Sequence, residues 1–412
     1  MAVPKLRFKD SGGREFPEWE DKKLGEFFSK INKKNNDNLI TNVITNSAVN
    51  GLIEQRMFFD KDIANKENTD KYYIIEKGDF VYNPRKSNDA PYGPVHMYES
   101  DCKGIVSPLY LCFKPIDKTL SLLFMKNYFK SSSWHKYIYA NGDTGARDDR
   151  VSVKVTTFLD MPVNIPSLPE QQKIADFLTA YDTMIDTQTK RVEAMKTRKK
   201  GLLQKIFSQE IRFKDDHGQD FPEWKSKKLG ESTYIERGGS PRPISKYITG
   251  DSNGINWIKI GDAPVEGNVI TSVKEKIISE GVPKSRKVFK GDLILSNSMS
   301  YGRPYLLAVD GCIQDGWLLI RNDKNIFDIR FLMQELASQY VKAQYDRLSN
   351  QGVVSNLNKE LVKSVFIKIP SLPEQRKIAD FLTAVDTQIE VEEKRLETMK
   401  TIKKGLLQQM FI

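Results

Sequence analysis

Five residues, Gly250-Asp251-Ser252-Asn253-Gly254, fit the Gly-x-Ser-x-Gly pattern that presents a nucleophilic serine on a sharp turn between a strand and a helix. The run that follows them, INWIKI, has the look of a strand, and no histidine lies downstream to serve as a base, since the chain's three histidines are His96, His135 and His217. Ser252 is therefore expected in a surface turn. Asn83-Pro84-Arg85-Lys86 begins like the Asn-Pro-Pro-aromatic loop that grips a flipped base in methyl transfer, but it lacks the second proline and the aromatic ring that would stack on the base. No two glycines stand two apart and no glycine precedes a lysine, which removes the glycine loops that cradle dinucleotides and nucleoside triphosphates. Cys102, Cys112 and Cys312 form no Cys-x-x-Cys pair, and with three histidines no zinc-ligand spacing can be assembled, so no metal site is expected.

What remains is the chemistry of recognition. Lys and Arg number 64 against 54 Asp and Glu, a net charge of +10, which suits a polyanionic partner as well as plain solubility. Base readout needs Arg, Lys, Asn, Gln or Ser beside a groove, and phosphate contact needs cations. In the first half of the chain the candidates are Arg85, Lys86, Ser87 and Asn88, which follow an apolar run, and Arg147 and Arg150 in a polar loop bracketed by Gly142 and Gly145. In the second half they are Ser296, Asn297, Ser298 and Arg303 in a polar turn, Gln351, Ser355 and Asn356 in a later loop, and Arg237 and Arg242 in ERGGSPRP. Each is also what an ordinary solvated turn contains. Asp148 and Asp149, between the two arginines, could pair with them or accept from a cytosine amino group.

The elements that must carry these loops occur twice. Ile165–Phe207 returns at Ile369–Phe411 with about seven positions in ten identical, and RFKDSGGREFPEWEDKKLGE at Arg7–Glu26 returns as RFKDDHGQDFPEWKSKKLGE at Arg212–Glu231. A repeat of half the chain is a duplicated module. The boundaries expected are 1–164, a globular region; 165–210, a long helix; 211–368, a second globular region; and 369–412, a second long helix. Each helix is expected to start at a serine cap, Ser167 or Ser371, with Pro169 or Pro373 and Glu170 or Glu374 in its first turn. Apolar residues then recur at three and four: Ile174, Leu178, Tyr181, Ile185, Val192, Met195, Leu202 and Leu203 in one, Ile378, Leu382, Val385, Ile389, Leu396, Met399, Leu406 and Leu407 in the other. So narrow a stripe suits a coiled coil, with Val192, Met195, Leu202 and Leu203 left to meet a partner helix. The cluster Lys196, Arg198, Lys199, Lys200 and its twin Lys400, Lys403, Lys404 reads as dipole compensation on a solvated face, with contact to a DNA backbone as the alternative.

Between the duplicated parts the order is mixed. Strands are expected at Tyr72–Glu76, Asp79–Tyr82, Ile105–Phe113 and Phe158–Ile165, then at Asn256–Ile260, Val269–Val273, Asp292–Ser296, Tyr305–Val309 and Gly316–Ile320. Helices are expected at Thr119–Lys130 and Ile329–Tyr345. The fold class is thus α/β (α+β) in two globular heads, joined by two long helices. The heads share landmarks but differ in detail: KGDFVYNPRKS answers KGDLILSNSMS, GIVSPLYLCF answers GCIQDGWLLI, and GARDDRVSV falls at the place of QGVVSNLNK.

This order of divergent head, then LPEQ…IADFL…LLQ helix, twice over, resembles the specificity subunit of Type I restriction–modification systems across nearly the whole chain. The resemblance implies two target recognition domains, each reading one half of a bipartite asymmetric site in double-stranded DNA. It implies that the long helices lie antiparallel about a pseudo-two-fold axis, fix the spacer and dock two modification (methyltransferase) subunits, which restriction subunits then join. Catalysis, S-adenosylmethionine, ATP and Mg would belong to those partners, and this chain would be no enzyme. The polar N-terminus, the lack of a long apolar run and the unpaired cysteines lead us to expect a cytoplasmic protein without a membrane segment. The competing readings are a coiled-coil scaffold whose heads bind protein or glycan, and a self-contained DNA-modifying enzyme.

Overall fold

The computed structural model describes residues 4–58, 69–143, 149–265, 267–297, 301–349 and 357–411. The chain divides into two compact units, Met1–Lys190 with Lys394–Ile412, and Arg191–Glu393. The division does not fall where heads meet helices. Each long helix, Leu168–Phe207 and Leu372–Met410, gives its first half to one unit and its second half to the other.

Each unit therefore contains a head, the start of one helix and the end of the other, and the two segments run antiparallel. In the first unit Ile174, Ala175 and Leu178 share a core with Leu407, Met410 and Phe411, while Lys403 pairs with Asp182. In the second, Ile206 and Phe207 share a core with Ile378, Ala379 and Leu382, and Lys199 pairs with Asp386 at 2.5 Å. Lys196 reaches Glu393 at 2.8 Å. The basic cluster is thus not simply a solvated face: Lys196, Lys199 and Lys403 join helix to helix, and burial together with Lys130 pushes the Lys403 ammonium down to about 8.

The apolar stripe turns inward more fully than the spacing suggests. Ile174, Leu178, Val192, Ile378, Leu382, Ile389, Leu396 and Leu407 are buried, and Tyr181, Ile185, Met195, Leu202, Leu203, Val385, Met399 and Leu406 half-buried. Val192 is already covered and so is not left for a partner, and Leu203 packs in part against the second core. The large apolar side chains exposed on the helices are instead Leu168, Met184, Phe381, Val391 and Ile402.

The start of each helix explains the LPEQ signature. The carboxylate of Glu170, fully buried, receives a two-pronged bond from Arg7 (3.0 and 2.7 Å) and that of Glu374 receives one from Arg212 (3.3 and 3.1 Å). Gln171 accepts from the Ser121 amide at 2.8 Å and Gln375 from the Asp328 amide at 2.9 Å, so each glutamine ties the long helix to the start of a helix in its own head. The expected serine caps are corrected: the hydroxyls of Ser167 and Ser371 are buried without a hydrogen-bond partner among the described residues, and only their carbonyls serve the first turn.

In the first head, among the described residues, a four-stranded antiparallel sheet runs Phe28–Lys30, Leu111–Pro115, Phe80–Tyr82, Val95–Met97. In the second, five strands run Tyr234–Arg237, Trp317–Arg321, Leu293–Ser296, Pro304–Leu307, Val269–Ile270, and a further sheet includes Ile255–Ile258. Both heads close their base with an antiparallel strand pair, Glu20–Lys23 on Pro162–Ile165 and Lys225–Lys228 on Phe366–Ile369. Both keep the same Lys-Gly-Asp turn. Gly78 and Gly291 take φ of +92° and +91°, which glycine tolerates, and the following Asp79 and Asp292 accept from the amides of Glu76 and Phe289 at 2.7 and 2.9 Å. Three expected elements break. Ile105–Phe113 is two strands separated by a turn, Phe158–Ile165 begins with a helical turn (Val155–Leu159), and Ile329–Tyr345 divides into Ile329–Leu336 and Gln339–Ser349.

Candidate nucleic-acid interface

The loop after Tyr82 and the loop before Val155 meet. The Val151 amide donates to the Pro84 carbonyl at 2.9 Å, the Lys86 amide to Asp149 at 2.8 Å, and Arg85 pairs with Arg150 across an isolated antiparallel bridge. The second head repeats the joint: the Leu357 amide donates to the Asn297 carbonyl at 3.0 Å. Residues far apart in sequence are thus brought together in each head by an equivalent backbone bond, and the side chains around it differ.

In the first head this joint borders a cleft of about 340 Å³. Arg85, Lys86, Ser87 and Arg150 line one side. Arg85 and Arg150 both lean towards Asp149, at 3.6 and 4.0 Å, so this aspartate pairs with its neighbours, and Asn88 is exposed in the turn that follows Ser87. Asn83 and Asn46 form the floor. Asn83 accepts from the Arg85 amide at 3.0 Å and donates to the Asn46 carbonyl at 2.9 Å. The buried Asn46 donates to Val81 at 2.8 Å, and its other amide atom faces His96 Nδ1 at 2.6 Å. Burial, with help from Lys130 and Lys126, pulls His96 down to about 4, so the ring is neutral and Nδ1–H donates. The network holds the Arg85–Ser87 loop on the sheet.

Two glycines permit this closeness. A Cβ on Gly93, whose φ is +81°, would sit 2.0 Å from the Asn83 carbonyl oxygen. A Cβ on Gly142 would sit 2.5 Å from Val151, so this glycine serves close packing of the chain on itself rather than approach to a partner. The opposite side of the cleft was not singled out from sequence. It comes from the hairpin Ile44–Ser47/Gly51–Glu54 and the turn at 107–110, with Thr45, Ser47, Ala48, Ser107, Leu109 and Tyr110 as lining. The signal for the hairpin was present, since Asn50-Gly51 is a strong short-range hairpin marker, and Gly51 takes φ +72°.

The second head changes the picture at several candidates. Ser296 and Asn297 are buried: Ser296 Oγ accepts from the Arg303 amide at 3.1 Å and Asn297 donates to the Asp315 carbonyl at 2.8 Å. Their side chains are engaged inside the fold and are withdrawn as readers. Arg303 donates to Val265 (3.0 Å) and Gly267 (2.8 Å) and lies over the Tyr305 ring, so it clamps a neighbouring loop. Arg237 and Arg242 remain exposed and gather at Asp315. Arg237 bonds its carbonyl at 3.2 Å, Ser240 its carboxylate at 2.7 Å, and Arg242 lies 3.6 Å from the carboxylate. Gly238 and Gly239 allow this, because a Cβ on Gly238 would meet the Gln314 carbonyl at 2.0 Å. Arg147, Ser298, Gln351, Ser355 and Asn356 lie outside the described residues. Ser252 sits in a turn leading into the strand Ile255–Ile258, so no nucleophile elbow forms.

With two heads, paired loops and repeated helices in place, similarity to known proteins becomes decisive. The Type I restriction modification DNA specificity domain matches at residues 17–196 and again at 222–401. The chain belongs to this family. It is 26% identical over 418 residues to a putative type I restriction enzyme MjaX specificity subunit of Methanocaldococcus jannaschii, covering 97% of this chain and 94% of that protein. It is 24% identical to the MjaVIII specificity subunit of the same organism, with the same coverage. Among solved structures, it matches a chain from work on complex assembly and conformational transition of the type I R-M system, with a TM-score of 0.64 at 17% identity over 95% of this chain and 97% of that one. The Type-I restriction-modification system S subunit from M. genitalium matches with a TM-score of 0.54 at 16% identity, over 100% of this chain and 99% of that one. These two share the fold. The specificity-subunit fold, with target recognition domains and long helices, is thereby established for this chain, and its role is that of a Type I specificity subunit. No helix among the described residues is long and apolar enough to cross a membrane.

Proposed function

We propose that this specificity subunit reads a bipartite, asymmetric site in double-stranded DNA, one half per head. The observation that carries the reading is the repeated joint, Val151 to Pro84 and Leu357 to Asn297, which supports two loops in each head while their side chains differ. One frame bearing two chemistries is what reading two unlike half-sites requires. In the first head Arg85, Lys86, Ser87, Asn88, Arg147 and Arg150 are the proposed contacts. In the second the exposed cations Arg237 and Arg242 act with residues 298–300 and 351–356. Helix length sets the spacer between half-sites.

Two methyltransferase subunits dock on the repeated helices, where Met184, Phe381, Val391 and Ile402 are exposed and a hollow of about 390 Å³ is lined by Met195, Val391 and their neighbours. Restriction subunits join through them. S-adenosylmethionine, ATP and Mg belong to those partners, which modify adenine in the cytoplasm, and this chain contributes no catalytic group.

Replacing 19–164 by the head of another specificity subunit tests this, with genomic methylation read by sequencing in cells carrying the partners. One half of the modified sequence is expected to change and the other to persist. A change in both halves overturns the modular reading, and an unmethylated genome with the unaltered chain overturns the function.

A further inference from the structure

The cleft in the first head has two unlike sides. One carries Arg85, Lys86 and Arg150. The other ends in two turns that display apolar side chains to solvent, Leu109 at 59% exposure and Val49 at 73%. Neither turn is loose. The Tyr110 amide donates to the Ser107 carbonyl at 3.0 Å, the Leu109 amide to Ser107 Oγ at 3.3 Å, and the Asn50 amide to Ser47 Oγ at 3.2 Å. Leu109 and Ala48 line the same cleft as the cations, and the carboxylate nearest to these, Asp149, is shared by Arg85 and Arg150.

Three cations against the single carboxylate of Asp149 leave a positive excess, which fits a polyanion better than an apolar protein face. A duplex offers an apolar side chain little that is not a hydrogen-bonding group. On the major-groove edges of the four base pairs the one apolar group of any size is the C5-methyl of thymine; cytosine offers only the small C5–H at that place, and the hydrogen-bonding edge atoms would lose their water to leucine without return. An exposed leucine held on a rigid turn beside a cationic loop is therefore selective.

We propose that Leu109, flanked by Ala48, is a specificity-determining residue that receives the C5-methyl of a thymine in the half-site read by the first head. This rests on the reading that the head binds DNA, and it assigns a base to one part of the cleft. Lys86 and the two arginines hold the strand while the leucine reports the methyl.

The test uses the chain assembled with its methyltransferase subunits and a duplex bearing the site found by methylome sequencing, the half belonging to residues 19–164 being identified by head exchange. Each thymine of that half is replaced in turn by deoxyuridine, which lacks only the methyl. At one position the intact complex is expected to lose about fourfold in affinity, the worth of one buried methyl. Leu109→Ala is expected to weaken binding to the thymine duplex by a similar factor and to be indifferent to deoxyuridine there, because leucine and methyl act as a pair. Leu109 is exposed, so the substitution leaves the core intact. If Leu109→Ala keeps the full deoxyuridine effect at every thymine, or leaves affinity unchanged because the turn serves a protein partner, the assignment is overturned while DNA reading stands. A complex with no specific binding overturns the DNA reading and the assignment with it.

Discussion

In the first head, Arg85 and Arg150 stand at the mouth of a cleft and share Asp149, whereas in the second Arg237 and Arg242 gather at Asp315 and the serine and asparagine of the equivalent loop point inward. The joint beneath is the same backbone bond in both. The difference shows how a duplicated module diverges. Backbone bonds and the Lys-Gly-Asp turn are kept because they close the sheet, while the side chains above them differ, exposed at Arg85 and Ser87 in the first head and engaged inside the fold at Ser296 and Asn297 in the second. The same contrast appears lower down. The carboxylate of Glu170 is met by Arg7 and also by the Trp19 indole at 3.2 Å, while the Trp224 indole is buried without a hydrogen-bond partner among the described residues.

That last difference predicts the largest effect. Removing one partner of a buried ion pair leaves a bare charge and costs about 3–5 kcal/mol. Arg212→Ala is expected at the upper end of that range, because Glu374 then lacks the indole that Glu170 retains. Arg7→Ala is expected at the lower end. Denaturant unfolding of the two variants checks this, and equal losses would erase the distinction between the halves.

A smaller effect separates the Lys-Gly-Asp turns. Asp292 is held by a two-pronged bond from Arg321, whereas at the matching place beside Asp79 stands Lys114. Burial pushes the Asp79 carboxyl up to about 6, offset only in part by the Glu76 amide and, last, by the charge of Lys114. A carboxyl raised in the folded state contributes stability that is fully present below its ordinary value near 3.8 and is lost as pH rises through about 6, roughly 3 kcal/mol at most. Lys114→Arg, by supplying the planar fork, is expected to lower the Asp79 titration and reduce that loss. Carboxyl NMR of Asp79 and unfolding at pH 4 and pH 7 measure it.

How much of this was legible depends on where the information lies. The long helices and the duplication followed from periodicity and self-similarity; that the loop after Tyr82 meets the loop before Val155 did not, because it is a tertiary contact between distant segments. The fate of Ser296 and Asn297 did not, because a polar turn after a strand looks the same whether its side chains face water or the Asp315 carbonyl, and burial is decided by tertiary packing. The serine caps failed for a related reason: Ser167 and Ser371 have the right type and position, yet their hydroxyls are buried and only their carbonyls act. Half of the cleft was missed although Asn50-Gly51 marked its hairpin, since the short strands flanking that pair mix apolar and polar residues without clean alternation.

The cations give the next contrast. Each phosphate contact contributes about 0.9 to the slope of log affinity against log salt. Arg150→Ala, in the assembled complex, is expected to lower the slope by about that amount and to weaken binding to unrelated sequences as much as to the site. Arg242→Ala tests whether the second head uses its arginine in the same way, and an unchanged slope there would mean that Asp315 holds Arg242 away from DNA.

The smallest expected effect probes the carboxylates that restrain these arginines. Asp149 lies 3.6 Å from Arg85 and 4.0 Å from Arg150, with Arg85 and Asp149 exposed and Arg150 half-buried, and at these distances the pairs add little to stability. Asp149→Asn keeps the backbone carbonyl that accepts from Lys86 and removes only the charge. Unfolding is expected to shift by less than about 0.5 kcal/mol, while affinity for non-specific duplex rises severalfold because two cations are released towards phosphate. Discrimination between the site and unrelated DNA should fall correspondingly, since non-specific binding gains more than an already positioned complex. Asp315→Asn is expected to do less, because its carbonyl still holds Arg237 and Asn297. If Asp149→Asn instead abolishes recognition of one half-site, the aspartate is reading a base, and the cytosine amino group becomes its partner.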